Sequence, residues 1–113
     1  MSLTSEDRRC ATRLLREAEV RIKIISAPAQ PDLVGQEYGC SSIDISATGL
    51  RLLLEAAVVA GSRLTLVVSL PEQESALEGE VIWQRETEAD GVYLVGIHFI
   101  GGRDRDAWNS LFL

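Results

Sequence analysis

Lysine is almost missing: ten of the eleven basic residues are arginine, and only Lys23 is not. Histidine occurs once, as His98, and cysteine twice, as Cys10 and Cys40. Two cysteines thirty residues apart, with a distant histidine, match neither a disulfide framework nor zinc-ligand spacing, so both are read as reduced thiols. Cys10 sits among arginines that would lower its pKa and suit a redox switch, against the plainer reading of an incidental small residue. No stretch approaches the roughly 18–20 consecutive apolar residues of a membrane span, and no apolar run follows the basic residues near the N-terminus as in a signal peptide. The expected compartment is the cytoplasm. Enzyme templates are missing as well: there is no P-loop, no Gly-x-Gly-x-x-Gly fingerprint and no Gly-x-Ser-x-Gly elbow. The scattered carboxylates leave an acid–base pair open without pointing to one. The expectation is a protein that catalyses nothing and carries neither cofactor nor metal.

The chain has 113 residues, 46% of them hydrophobic and 25% charged, which suits one core and one domain. A net charge of −6 argues against non-specific binding to nucleic acid or to anionic lipid. Positive charge gathers at the front, where residues 1–23 hold six basic against four acidic side chains; the remainder holds five against thirteen. Arginine offers a planar fork of donors that fits phosphate oxygens and the O6/N7 edge of guanine better than lysine does. The plain alternative is a compositional bias of a GC-rich genome.

Hydrophobic alternation organises the middle of the chain. Val20, Ile22 and Ile24 alternate with Arg21 and Lys23, the period of a strand with one buried face. Ser26–Ser42 contains Pro28, Pro31, Gly35 and Gly39 and reads as a loop, with a short strand around Gln36–Tyr38. Ile43 and Ile45 end a strand that enters the polar turn Ser46-Ala47-Thr48-Gly49. Further alternating runs are Leu50–Leu54, Leu64–Leu70, Leu77-Gly79-Val81-Trp83 and Val95-Ile97-Phe99, with turns at Gly61-Ser62, Pro71 and Asp90-Gly91. These spacings predict an all-β domain, a six-stranded antiparallel barrel. Trp108, Leu111 and Phe112 fall at i, i+3 and i+4, so a short C-terminal helix over 103–113 is expected to cap it. The expected division is an arm at 1–18, a barrel at 19–102 and that helix.

Two constellations stand out. Arg8-Arg9-Cys10-Ala11-Thr12-Arg13 contains Arg9-x-x-x-Arg13 with Arg8 directly before it, and by itself reads as a solvated arm. Asp44-Ile45-Ser46-Ala47-Thr48-Gly49 sets a carboxylate, a hydroxyl and a glycine at a strand-to-strand turn. By itself that is turn chemistry, with Asp and Ser bonding backbone and Gly supplying positive φ. Together, in this order and within a small barrel, they resemble the PilZ domain family. Its hallmarks are Arg-x-x-x-Arg and, about thirty residues on, (Asp/Asn)-x-Ser-x-x-Gly. The likeness extends through the strands at Val20–Ile24, Val81–Trp83 and Gly96–Phe99 to the terminal helix. One departure is Thr48, where many relatives carry a second glycine.

The resemblance implies a receptor for cyclic-di-GMP. Arg8, Arg9 and Arg13 would pair with phosphate oxygens and guanine O6/N7. Asp44 would accept from guanine N1 and N2, Ser46 would add a short polar contact, and Gly49 would let the backbone approach the ligand. Trp83 has two readings, stacking on a guanine or filling the barrel. Arg8 implies a self-stacked dimer of two ligand molecules. The expected mechanism orders the N-terminal arm on binding and passes the signal to a separate, unidentified protein, with no nucleic acid involved and the domain a monomer or homodimer. The alternative is a PilZ-like adaptor that works through protein contacts without nucleotide.

Overall fold

A computed structural model describes residues 16–112. Six strands, β1 (Glu19–Ser26), β2 (Glu37–Ile45), β3 (Gly49–Leu54), β4 (Arg63–Ser69), β5 (Glu74–Glu86) and β6 (Tyr93–Gly101), are followed by one helix, α1 (Arg105–Ser110). The strands close into an antiparallel barrel in the order β1-β2-β3-β6-β5-β4, so no strand presents a free edge. The alternation seen in the sequence is the inside of this barrel. Val20, Ile22 and Ile24 meet Leu50, Leu52, Leu64, Leu66, Val95 and Ile97 in one buried cluster.

α1 closes one end. Trp108 is fully buried, edge-to-face with Phe99 at 5.4 Å between centroids and tilted against Phe112 at 5.6 Å. The expected stripe of Trp108, Leu111 and Phe112 does pack on the core, although the helix itself is shorter than the 103–113 expected.

The loop expected from Ser26 to Ser42 is corrected. β2 runs from Glu37 to Ile45, paired with β1 on one side and β3 on the other, and the irregular stretch shrinks to residues 27–36 around a 3-10 turn at Pro31–Leu33. β2 lacks apolar alternation because its inward positions are filled by Tyr38, Cys40 and Ser42. Ser42 is buried and satisfied: its hydroxyl donates to the Arg16 carbonyl at 2.7 Å and accepts from the Ala18 amide at 2.9 Å. With the Arg16 amide donating to the Ile43 carbonyl at 3.2 Å, the chain entering β1 is stitched alongside the last residues of β2.

Cys40 is a free, half-buried thiol that donates to the Val20 carbonyl at 3.5 Å, and burial pushes its pKa up to about 11. The thiolate is the nucleophile, so in a Cys10→Ser chain iodoacetamide at pH 8 should alkylate Cys40 roughly a hundredfold more slowly than an exposed thiol, with the rate climbing toward pH 11. Alkylation at the rate of free cysteine would contradict this environment.

Candidate functional site

Asp44 reaches the barrel's exterior through a β-bulge. Ser42 opposes the buried Leu52, but Asp44 opposes Arg51, so β2 holds one extra residue, Ile43, between them. In an unbroken strand Ser42 and Asp44 would share a face. The bulge instead turns Ser42 inward and Asp44 outward. Arg51, flanked by the buried Leu50 and Leu52, points outward too, and its Nε and Nη2 both donate to Asp44 Oδ2, at 2.9 and 2.5 Å. Asp44 is only 1% exposed, and a carboxylate that buried costs several kcal/mol unless paired. The bond to Asp44 and its charge in turn raise the pKa of Arg51.

A second bulge does the same for Trp83. Val81 opposes Ile97, yet Trp83 opposes Gly96, which leaves Ile82 as the extra residue of β5. The alternation Leu77, Gly79, Val81, Trp83 therefore breaks at its last member, and Trp83 stands outside rather than on the core face. Its indole lies against Gly96, where an added Cβ would come within 2.4 Å of the ring, and the Arg85 guanidinium sits 5.0 Å from the ring centroid on a cation–π contact. Strand pairing then makes a row across the exterior: Asp44 on β2, Arg51 on β3, Gly96 on β6 and Trp83 on β5. At the spacing of neighbouring strands the row is roughly 15 Å long, the size of a dinucleotide.

Ser46 and Gly49 face the protein. The Ser46 hydroxyl is fully buried and accepts from the amides of Gly49 at 3.2 Å and Thr48 at 3.3 Å, and the Ser46 amide donates to the Gly49 carbonyl at 2.8 Å. The positive φ expected at Gly49 is corrected: the positive-φ glycines are Gly35, Gly61, Gly91 and Gly102. Glycine is needed at 49 because β3 and β6 approach too closely for a side chain, and a Cβ would lie 2.1 Å from the Ile97 carbonyl oxygen. The turn is clamped from below by Trp108, whose Nε1 donates to the Ser46 carbonyl at 2.9 Å.

Arg8, Arg9 and Arg13 lie outside the described residues. Arg16, three residues after Arg13, is bonded to Ile43 beside Asp44, and its guanidinium forms a two-pronged bond with Glu72 at 2.9 and 2.8 Å. Arg51 and Arg85 are the residues that sequence reasoning missed. Arg51 was visible only as the polar member of an alternating strand two positions after Gly49, and its pairing with Asp44 needs the register. Among the described residues no group of three or more His, Cys, Asp or Glu is placed to hold a metal ion, and no helix is long and apolar enough to cross a membrane.

The family model for the PilZ domain matches residues 7–111. The chain belongs to the PilZ domain family. No curated protein matches it. Among solved structures, Bacillus subtilis inhibitor of motility (MotI/DgrA) matches at TM-score 0.71 and 19% identity, over 93% of this chain and 49% of that one. MrkH of K. pneumonia in its apo state matches at 0.65 and 18%, over 93% and 48%. The PilZ domain of YcgR from Escherichia coli, solved with c-di-GMP, matches at 0.63 and 15%, over 93% and 86%. At these identities the likeness is one of fold. This PilZ domain spans about half the length of the MotI/DgrA and MrkH chains.

Proposed function

We propose that this PilZ domain is a cyclic-di-GMP receptor and not an enzyme. The observation that carries the reading is the placement of Asp44: a bulge turns the carboxylate of the (Asp/Asn)-x-Ser-x-x-Gly motif outward, Arg51 grips it, and the chain arriving from the Arg-x-x-x-Arg motif runs directly beside it. Covalent reach keeps Arg13 within roughly 10 Å of Arg16, which allows both motifs to reach one ligand. In this reading Asp44 accepts from guanine N1 and N2, while Arg8, Arg9 and Arg13 grip phosphates and guanine O6/N7. Ser46 and Gly49 contribute by shaping the turn that presents Asp44. Trp83 offers a ring to a guanine once Arg85 swings aside. The ligand is the second messenger itself and no cofactor is involved; Arg8 favours two stacked ligand molecules per chain. Binding orders the arginine segment over the barrel, and the altered surface signals to a separate protein partner, with motility the output that the MotI/DgrA name suggests.

Isothermal titration of the full chain tests this. Cyclic-di-GMP should bind with micromolar or tighter affinity, about −8 kcal/mol or better, while GTP and cyclic-di-AMP bind at least tenfold more weakly. Arg9→Ala and Asp44→Ala should each weaken binding about a hundredfold or more, because each leaves a charged partner unmatched. A saturation point of two ligands per chain is expected, along with slower amide exchange across Arg8–Arg13 in the complex. No heat and no thermal shift with cyclic-di-GMP would sink the receptor reading and leave an adaptor working through protein contacts.

A further inference from the structure

β1 is fastened beyond its last paired residue, and from both sides. Glu19 opposes Ser41 of β2 and Ser69 of β4, and the chain before it, residues 16–18, carries on along the barrel wall. On the β2 side the Arg16 amide donates to the Ile43 carbonyl at 3.2 Å and the Ser42 hydroxyl donates to the Arg16 carbonyl at 2.7 Å. On the β4 side the fastening is a side chain. Nη1 and Nη2 of Arg16 donate to the two carboxylate oxygens of Glu72 at 2.9 and 2.8 Å, and that bond holds the Glu72 carboxyl below the usual carboxylate range. Glu72 stands on the turn between β4 and β5, which is itself closed: the Leu70 amide donates to the Gln73 carbonyl at 3.0 Å, and the Gln73 side-chain amide donates to the buried Ser75 hydroxyl at 2.8 Å.

Both side chains are partly exposed, and an exposed ion pair adds little to the stability of a barrel. What this pair fixes is the last anchored point before the arginine motif. Arg13 is three residues from Arg16. Without Glu72 the segment is held from the β2 side alone and frays toward Glu19, the first residue paired on both sides, which lies six residues from Arg13. The effective concentration of a tethered group falls as roughly the −3/2 power of tether length, so doubling the tether lowers the concentration of Arg13 near Asp44 about threefold. A group already held near its target gives up less freedom on binding.

We propose that Arg16 and Glu72 are a positioning pair, which touches no ligand and holds the Arg-x-x-x-Arg motif beside Asp44. The proposal rests on the receptor reading above, and its test separates the two. Titration of the full chain with cyclic-di-GMP should show Arg16→Gln and Glu72→Gln each binding about threefold more weakly than wild type. The double variant should bind no more weakly than either single one, because the same bond is lost once. Urea melts should be unchanged, and without ligand the Arg16 amide should exchange about threefold faster or more in Glu72→Gln, which reports the freed anchor directly. Wild-type affinity in both single variants overturns the pairing and leaves the receptor reading standing. Weaker binding by Arg16→Gln with tighter binding by Glu72→Gln also overturns it, since Arg16 would then grip phosphate in competition with Glu72. Losses that add in the double variant, or an Arg16 amide indifferent to Glu72→Gln, overturn it as well. A wild-type chain that binds no cyclic-di-GMP overturns the receptor reading and this role with it.

Discussion

Trp108→Ala should lower the free energy of unfolding by about 3–5 kcal/mol, a large share of the roughly 5–15 kcal/mol that holds a domain of this size together. The indole is fully buried, packs on Phe99 and Phe112, and is the largest side chain closing the barrel end. Removing it opens a cavity that so short a helix, of six residues, cannot collapse to fill. Its nitrogen also satisfies the Ser46 carbonyl, so Trp108→Phe separates the two contributions. Phenylalanine keeps most of the packing and leaves one acceptor unpaired, at about 1–2 kcal/mol. Urea unfolding followed by far-ultraviolet circular dichroism reads both values. A loss below about 1 kcal/mol for Trp108→Ala would mean that α1 is a dispensable appendage. The larger loss would mean that the helix holds the turn two residues past Asp44, which couples the C-terminus of the domain to the candidate site.

Much of this was legible in the sequence, and the reasons for what was not are specific. β1, β3, β4 and β6 announce themselves because their buried residues alternate, and a closed barrel buries one whole face of every strand. β2 hid because its inward positions are taken by Tyr38, Cys40 and a serine whose hydroxyl does backbone work, which no hydrophobic period can detect. The two bulges hid for a different reason. A bulge is a mismatch between two strands, and a single strand's sequence does not contain it. Asp44 and Trp83 were therefore picked by motif and residue type, but their arrival on one exterior row, with Arg51 and Gly96 between them, is a product of register. Gly49 was picked from the motif as a turn glycine that lets the backbone approach a ligand, whereas the demand for glycine that the structure displays there comes from the packing of β3 on β6.

That reason makes Gly49→Ala the other severe substitution. The new methyl would sit 2.1 Å from the Ile97 carbonyl oxygen and 3.3 Å from the His98 Cα, all backbone atoms with no flexible side chain to yield. β3 and β6 would have to part by more than an ångström where Phe99 N–H meets the Thr48 carbonyl at 2.8 Å, and overpacking against backbone costs about 3 kcal/mol or more. Gly39→Ala is the matched control, since a Cβ there meets nothing within 4 Å and the residue also lies in a strand. It should change stability by about half a kcal/mol or less. Urea melts of the pair decide the matter: equal stabilities would mean that β6 gives way to the methyl and that the glycine serves something outside the barrel wall. A loss confined to Gly49→Ala would show that this glycine is fixed by the closure of β3 on β6. Any weakening of cyclic-di-GMP binding in that variant would then follow from a displaced Asp44, because the turn from Ser46 to Gly49 and the carboxylate two residues before it move as one piece.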